Sequence, residues 1–261
     1  MHGQVATSHA VRRLKMKNNE GRVVVWFSCG AASACAAKLA VQKYSNVVVA
    51  YCNTLASEHP DNLRFLREVE QWIGLPITII SSEKFGSIED VFSKARYMSG
   101  PFGAPCTREM KKIPRYNFQL PGDLHVFGLT GNEGRRRALF EKENADIDIE
   151  FTLGDLTKQD CFDMLAAAGI KIPVMYGLGF KNNNCIGCVK STSPDYWNRV
   201  REHFPETFEA RAKQSREIGC RLVQIYRKKR IFLDELPAGY VGGKPEEDIE
   251  CGVICVSESV V

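Results

Sequence analysis

Ten cysteines occur in this chain of 261 residues, and their spacing is its first chemical signal. Cys185 and Cys188 are two residues apart, a spacing that lets two thiolates grip one metal ion or cluster. Cys251 and Cys255 make a looser second pair, and Cys106 stands alone upstream. In a cytosolic chain of this size, clustered thiols mean metal, cluster or redox chemistry rather than a disulfide framework. Cys35, Cys161 and Cys220 lie in helical or apolar settings and are expected to be small buried residues. The five histidines are scattered without a metal-ligand spacing.

A second signal is Ser28-Cys29-Gly30-Ala31-Ala32-Ser33, between a β-rich run and a helical segment. Small residues let backbone approach a ligand, and a helix start offers unpaired N–H groups and a positive dipole end. Phosphate binding competes here with an ordinary tight turn. A third signal is Arg135, Arg136 and Arg137, whose planar forks match phosphate or sulfate oxygens. Against it stands a solvated first helix turn. Arg227–Arg230 reads as a charged hairpin tip, with nucleic-acid contact as the sharper alternative.

The elements that must position these groups follow from periodicity. Arg22–Ser28, Asn46–Cys52, Pro76–Ser81, Leu124–Thr130 and Ile147–Leu153 read as strands, the first apolar enough to be buried on both faces. Between them, Ala32–Tyr44, a segment from Pro60 to Gly74, a stripe at Ile88, Val91, Phe92 and Ala95, and Glu133–Asn144 read as helices. Thr157–Ala168 continues the alternation. In the segment from Pro60, Leu63, Leu66, Val69 and Ile73 form the expected apolar face. Such alternation predicts an α/β fold, a mostly parallel sheet with helices on both faces. Ligands bind beyond the carboxyl ends of such strands, so chemistry belongs after Ser28, Cys52 and Thr130. After Pro173 the texture changes to a Gly/Asn/Cys-rich loop, a helical stretch Asp195–Gly219, a hairpin with arms Arg221–Tyr226 and Ile231–Leu236, and an irregular tail.

Residues 1–21 read as a loose leader, 22–176 as a nucleotide-binding α/β domain, and 177–261 as a smaller Cys-bearing region packed on it. The opening is polar and basic with no secretory pattern, and no apolar run is long enough to span a bilayer, so the protein is expected in the cytoplasm. Net charge is 35 − 31 = +4, which tolerates an anionic partner without marking a histone-like binder.

Ser28–Ser33 resembles the PP-loop of adenine nucleotide α-hydrolase-like enzymes, SGGxDS, with Cys29 at its second position and Ala32 in place of its Asp. Four further segments resemble the phosphoadenylyl-sulfate (PAPS) reductase branch. They are Asn53-Thr54-Leu55 with Glu58-His59-Pro60; Cys106-Thr107-Arg108 with Lys111, Lys112 and Pro114; Gly131-Asn132-Glu133-Gly134-Arg135-Arg136-Arg137; and Gly179-Phe180 with Cys185-Ile186-Gly187-Cys188. They fall in family order from about Val23 to Cys188.

The resemblance implies ATP or PAPS as the nucleotide ligand, with Ser28–Ser33, Asn53 and Gly131 around it. It implies Arg108, Lys111, Arg135, Arg136, Arg137 and Lys181 as anion-binding candidates. It also implies a 4Fe–4S cluster on Cys106, Cys185, Cys188 and Cys255, with Cys251 as alternative ligand and zinc as alternative metal. Glu250-Cys251-Gly252 is similar to the Glu-Cys-Gly whose cysteine attacks sulfur in PAPS reductases, which makes Cys251 the candidate nucleophile. Three functions follow as alternatives: reductive or transfer chemistry on sulfur, served by a thiol reductant or sulfur donor protein; ATP-dependent sulfur insertion into nucleic acid; or a non-catalytic nucleotide or nucleic-acid module with structural zinc, favoured by Ala32 and Asn53.

Overall fold

The computed structural model describes residues 21–100 and 103–246. The leader and both tail cysteines, Cys251 and Cys255, lie outside them. Five parallel strands, β1 (Val23–Phe27), β2 (Val47–Cys52), β3 (Ile77–Ile80), β4 (Leu124–Phe127) and β5 (Asp148–Glu150), form one sheet in the order β3-β2-β1-β4-β5. This is the α/β architecture that the periodicity predicts.

Each central strand alternates its side chains between two apolar layers. Val23, Val25 and Phe27 point into a core built with α1 (Ala31–Lys43), α2 (Asp61–Ile73) and α7 (Lys158–Ala167). Val24 and Trp26 point to the opposite face, where Phe127, Leu129 and Phe140 of α6 (Gly134–Glu143) cover them. Burial on both faces explains the unbroken Val-Val-Val-Trp-Phe run.

The α2 stripe differs from its expected one. Asn62, Phe65, Leu66, Val69 and Ile73 face inward, while Leu63 is 41% exposed. The apolar stripe therefore carries a buried amide, which becomes important at the site. Between β3 and β4 lie α3 (Ile88–Ala95), α4 (Pro105–Thr107), a π-helical turn Arg108–Lys112 and α5 (Ile113–Phe118).

Past β5 the chain forms α8 (Val174–Gly177), α9 (Pro194–His203) and α10 (Pro205–Ile218). The single helical stretch expected over Asp195–Gly219 is thus two helices. Pro205 lacks an N–H and constrains its predecessor, so Phe204 leaves the helical region at φ −140° and ψ 60°. The expected hairpin is present but shorter, with β6 (Val223–Gln224) antiparallel to β7 (Arg230–Ile231) and a 3-10 turn at Leu233–Glu235. Its tip places two non-glycine residues, Arg227 and Lys228, in the left-handed region at φ 55° and 61°, each at a cost on the order of 1–2 kcal/mol. A second buried cluster joins this region to α3 and the 104–110 segment, and Cys106, Cys185 and Cys188 are all members of it.

Candidate functional site: the crevice at the sheet switch point

The strand order reverses direction between β1 and β4, so the turns leaving these two strands flank a crevice at the carboxyl edge of the sheet. The turn from β1 is Ser28–Ser33. Its backbone reverses at Cys29, which adopts φ 57° with its side chain fully buried. This left-handed residue occupies the position where the resembling motif carries glycine, and the geometry gives the reason. Gly30 then caps α1.

Ser33 builds the turn from within. Its hydroxyl donates to Gly30 O at 2.9 Å and accepts from Ser28 N–H and Ser28 Oγ, both at 3.1 Å. At 3% exposure it shapes the loop rather than offering a donor to a ligand. What remains for an anion is the set of first-turn amides of α1, which have no partner four residues back. Ser28 and Gly30 are the half-buried openings to them. Tyr176 of α8 reaches over this opening, and its hydroxyl accepts from Ala31 N–H at a long 3.4 Å.

The turn leaving β4 presses directly on α1. A Cβ on Gly128 would fall 2.5 Å from Ser33 Cα, 2.6 Å from Ser33 N and 2.8 Å from Ala32 C. Only glycine permits this approach. Gly131 packs equally closely against Asp155, and its N–H donates to Leu156 O at 2.8 Å. Its amide therefore serves the packing of the 153–157 loop. Thr130 caps the following turn through Glu133, which also holds Arg136 at 2.7 Å.

The arginine run separates into distinct duties. The Arg137 guanidinium donates to Leu129 O and Gly154 O and lies over the Phe151 ring, tying the loops after β4 and β5 together. Arg136 pairs with Glu133, and Arg135 is exposed. Arg108 is exposed too, paired with Glu109 at 3.0 Å on the rim of a cavity of about 230 Å³ beyond β3. Lys181 is exposed and donates to Glu246 O at 2.5 Å. Asn53 forms an Asx turn with Leu55 N–H and reaches Ser81.

Lys111 is different, being 7% exposed. Its segment is fixed to the end of β2, because the Cys52 thiol donates to Lys111 O at 3.5 Å. The ammonium charge is felt at two thiols flanking the crevice. Burial pushes the Cys29 thiol well up, with Glu58 adding to the rise and Lys111 opposing it. Burial likewise pushes the Cys52 thiol to about 12 against Lys111 and Arg115. At the Ser28–Ser33 turn two buried charges thus act against each other, the Glu58 carboxylate more strongly and the Lys111 ammonium less so.

Beneath the turn runs a polar chain that the sequence reading missed. Glu58, 5% exposed, accepts from Tyr51 Oη at 2.9 Å, Thr54 Oγ1 at 2.5 Å and Asn62 Nδ2 at 2.7 Å. Asn183 Nδ2 donates both to Asn62 Oδ1 and to Cys29 O, each at 2.7 Å. Asn183 thus joins the Ser28–Ser33 turn to the Cys185-x-x-Cys188 turn two residues on. Thr54 and Glu58 belong to a segment singled out in the sequence, and the further signal was Asn62 within an otherwise apolar helix face.

In that second turn Gly187 is left-handed at φ 67°, Cys188 N–H donates to Tyr196 Oη at 2.7 Å, and Ile186 N–H donates to Ser57 O at 2.8 Å. Cys185 and Cys188 are buried, as is Cys106. Among the described residues, no three His, Cys, Asp or Glu side chains converge as a set that could hold a metal. Cys35 and Cys161 are fully buried between α1 and α7 and Cys220 is half-buried, so for the first two the expected structural role holds.

No protein-family model matches this chain, and no curated protein matches it. Among solved structures it is similar to phosphoadenylyl-sulfate (PAPS) reductase from Candida auris in its phosphate complex. That similarity has 13% sequence identity and a TM-score of 0.49, over 70% of this chain and 98% of that one. A likeness of this size assigns no activity and no residue role.

Proposed function

We propose that this chain is an adenine-nucleotide-dependent enzyme of sulfur chemistry, of the PAPS reductase type. The phosphates of ATP or PAPS would lie on the first turn of α1, between the turns that leave β1 and β4. The observation that carries this reading is the tight left-handed turn at Cys29, set against Gly128 at the sheet's switch point. Backbone amides at a helix start suit a phosphate group, and the Lys111 charge offsets part of the field of the Glu58 carboxylate beneath the turn. Arg135, the exposed member of its run, is the proposed contact for the reacting anion.

In the reductive form of the proposal, the Cys251 thiolate attacks the sulfur of bound PAPS, the S–O bond to the phosphate breaks and adenosine 3′,5′-bisphosphate leaves. Two thiols of a reductant then become a disulfide as sulfite is released from the S-sulfocysteine and the Cys251 thiol is restored. Such chemistry suits a reducing, cytoplasmic compartment, and no described helix is long and apolar enough to cross a membrane. Calorimetric titration with ATP, PAPS and GTP tests the nucleotide assignment. Binding of either adenine nucleotide in clear preference to GTP supports it, and equal GTP binding or none at all overturns it.

One observation favours a second form, sulfur insertion into nucleic acid with the aid of a cluster. Cys106, Cys185 and Cys188 share a single buried apolar cluster although 79 residues separate the first from the second (185 − 106). The three thiols do not converge on one point, however, so the described residues do not by themselves make a site for a 4Fe–4S cluster or zinc, and Cys251 or Cys255 would have to join Cys185 and Cys188 to complete one. Tyr196 and Gly187 shape the turn that presents Cys185 and Cys188.

A further inference from the structure

The hairpin β6–β7 is clamped at its base and bare at its tip. At the base, Val223 and Ile231 are buried in the cluster that contains the three cysteines. Gln224 N–H donates to Thr192 O at 2.8 Å, four residues past Cys188, and Lys244 N–H donates to Gln224 O at 3.1 Å. A Cβ on Gly243 would meet Gln224 O at 2.7 Å, so the strap crossing the base is in close contact.

The tip itself runs Tyr226-Arg227-Lys228-Lys229, and all four side chains are exposed, Tyr226 at 68%. Arg227 lies 5.4 Å from the Tyr226 ring. The acids of the next turn, Asp234 and Glu235, are both held by Arg216, which leaves the tip's field positive. Arg227 and Lys228, in the loop that joins Gln224 to Arg230, are both left-handed, a conformation in which Asn and Gly are most at ease. The sequence instead keeps a guanidinium and an ammonium there, against the conformational preference. Observed strain at a rigidly presented, charged tip points to a contact made by those side chains.

We propose that Tyr226–Lys229 is a binding surface for single-stranded nucleic acid. Arg227, Lys228 and Lys229 contact successive phosphates, and the Tyr226 ring offers a sequence-tolerant platform for one base. The surface does not depend on the nucleotide reading, because its residues lie outside the crevice.

Fluorescence anisotropy of the full chain with a labelled oligothymidine, as a function of salt, tests it. Wild type is expected to bind at about 50 mM salt and to weaken steeply as salt rises. The double substitution Arg227→Asn/Lys228→Gly relieves the turn, so its Tm should rise by at least about 2 °C. Its affinity should nevertheless fall at least tenfold, with the slope of log K against log salt shallower by about 1.4, or 0.7 for each lost phosphate contact. Tyr226→Ala should lose about fivefold or more without changing that slope. Three results would each overturn the proposal: no binding by wild type at low salt, unchanged affinity in the Asn-Gly variant, or displacement of the oligonucleotide by phosphatidylserine vesicles as readily as by unlabelled oligothymidine.

Discussion

Gly128→Ala perturbs the crevice at its closest backbone approach. The added methyl would stand 2.5 Å from Ser33 Cα and 2.6 Å from Ser33 N, whereas ordinary contact begins at 3.4 Å. The two turns must therefore part by about 0.9 Å (3.4 − 2.5). Neither side of the contact is a flexible side chain that could swing away. One is the first turn of α1, and the other is the exit of β4, whose Phe127 is paired in register with Trp26 of β1. Overpacking of this kind costs about 1–3 kcal/mol, which urea denaturation would read as a lower midpoint at unchanged slope. A shift near 0.9 Å also carries an amide-to-phosphate hydrogen bond from about 2.9 Å to beyond its useful range. Losing one such charged bond, worth about 1.5–3 kcal/mol, should weaken ATP at least tenfold in calorimetry. Gly134→Ala is the matched control. It opens α6, with ordinary helical φ and nothing within 4 Å of its added Cβ, so it should leave ATP binding unchanged and raise stability by no more than about 1 kcal/mol. If Gly128→Ala were as stable and bound ATP as tightly as wild type, the close contact and the site built on it would both be refuted.

Two further outcomes follow from buried polar groups. Asn183→Ala removes the donor to Cys29 O and Asn62 Oδ1 and should cost about 2–4 kcal/mol in denaturant unfolding, since both acceptors stay buried; a loss under about 0.5 kcal/mol would contradict the network. His125 is 1% exposed and accepts from Trp26 Nε1, and burial, aided by Arg115 and Arg22 against Asp123 and Asp148, lowers its pKa to about 4. The folded imidazole is thus held neutral while the unfolded one protonates near 6.5, so its contribution is complete above about pH 6.5 and is lost as pH falls through 4. This loss amounts to about 3 kcal/mol, and His125→Gln should flatten that part of the stability profile; an unchanged profile would contradict the assignment.

The sheet was legible because its strands are buried on both faces and therefore appear as unbroken apolar runs, Val23–Phe27 above all. The tight turn at Ser28–Ser33 was legible because small residues between a strand and a helix let the backbone turn sharply. The edges were less so. Leu124–Thr130 reads as one strand, yet β4 ends at Phe127, because Gly128 must leave the ladder to pack on α1 and Thr130 is committed to capping. The duty of Arg137 was illegible because it depends on carbonyls of Leu129 and Gly154 that no local pattern reveals. Asn183 was illegible for the same reason, its partners lying 121 and 154 residues away. The burial of Lys111 also escapes periodicity, since it sits on a π-helical turn whose register departs from 3.6 residues.

The central claim is that a nucleotide's phosphates rest on the first turn of α1 against the turn from β4. Hydrogen–deuterium exchange of the full chain, with and without saturating ATP, tests it most directly. The account predicts slowed exchange at the amides of residues 28–34 and 128–134, with the hairpin tip 226–229 unaffected. Protection confined to the cavity lined by Ser81, Lys84, Arg108 and Asn117, with the β1 and β4 turns unchanged, would contradict it.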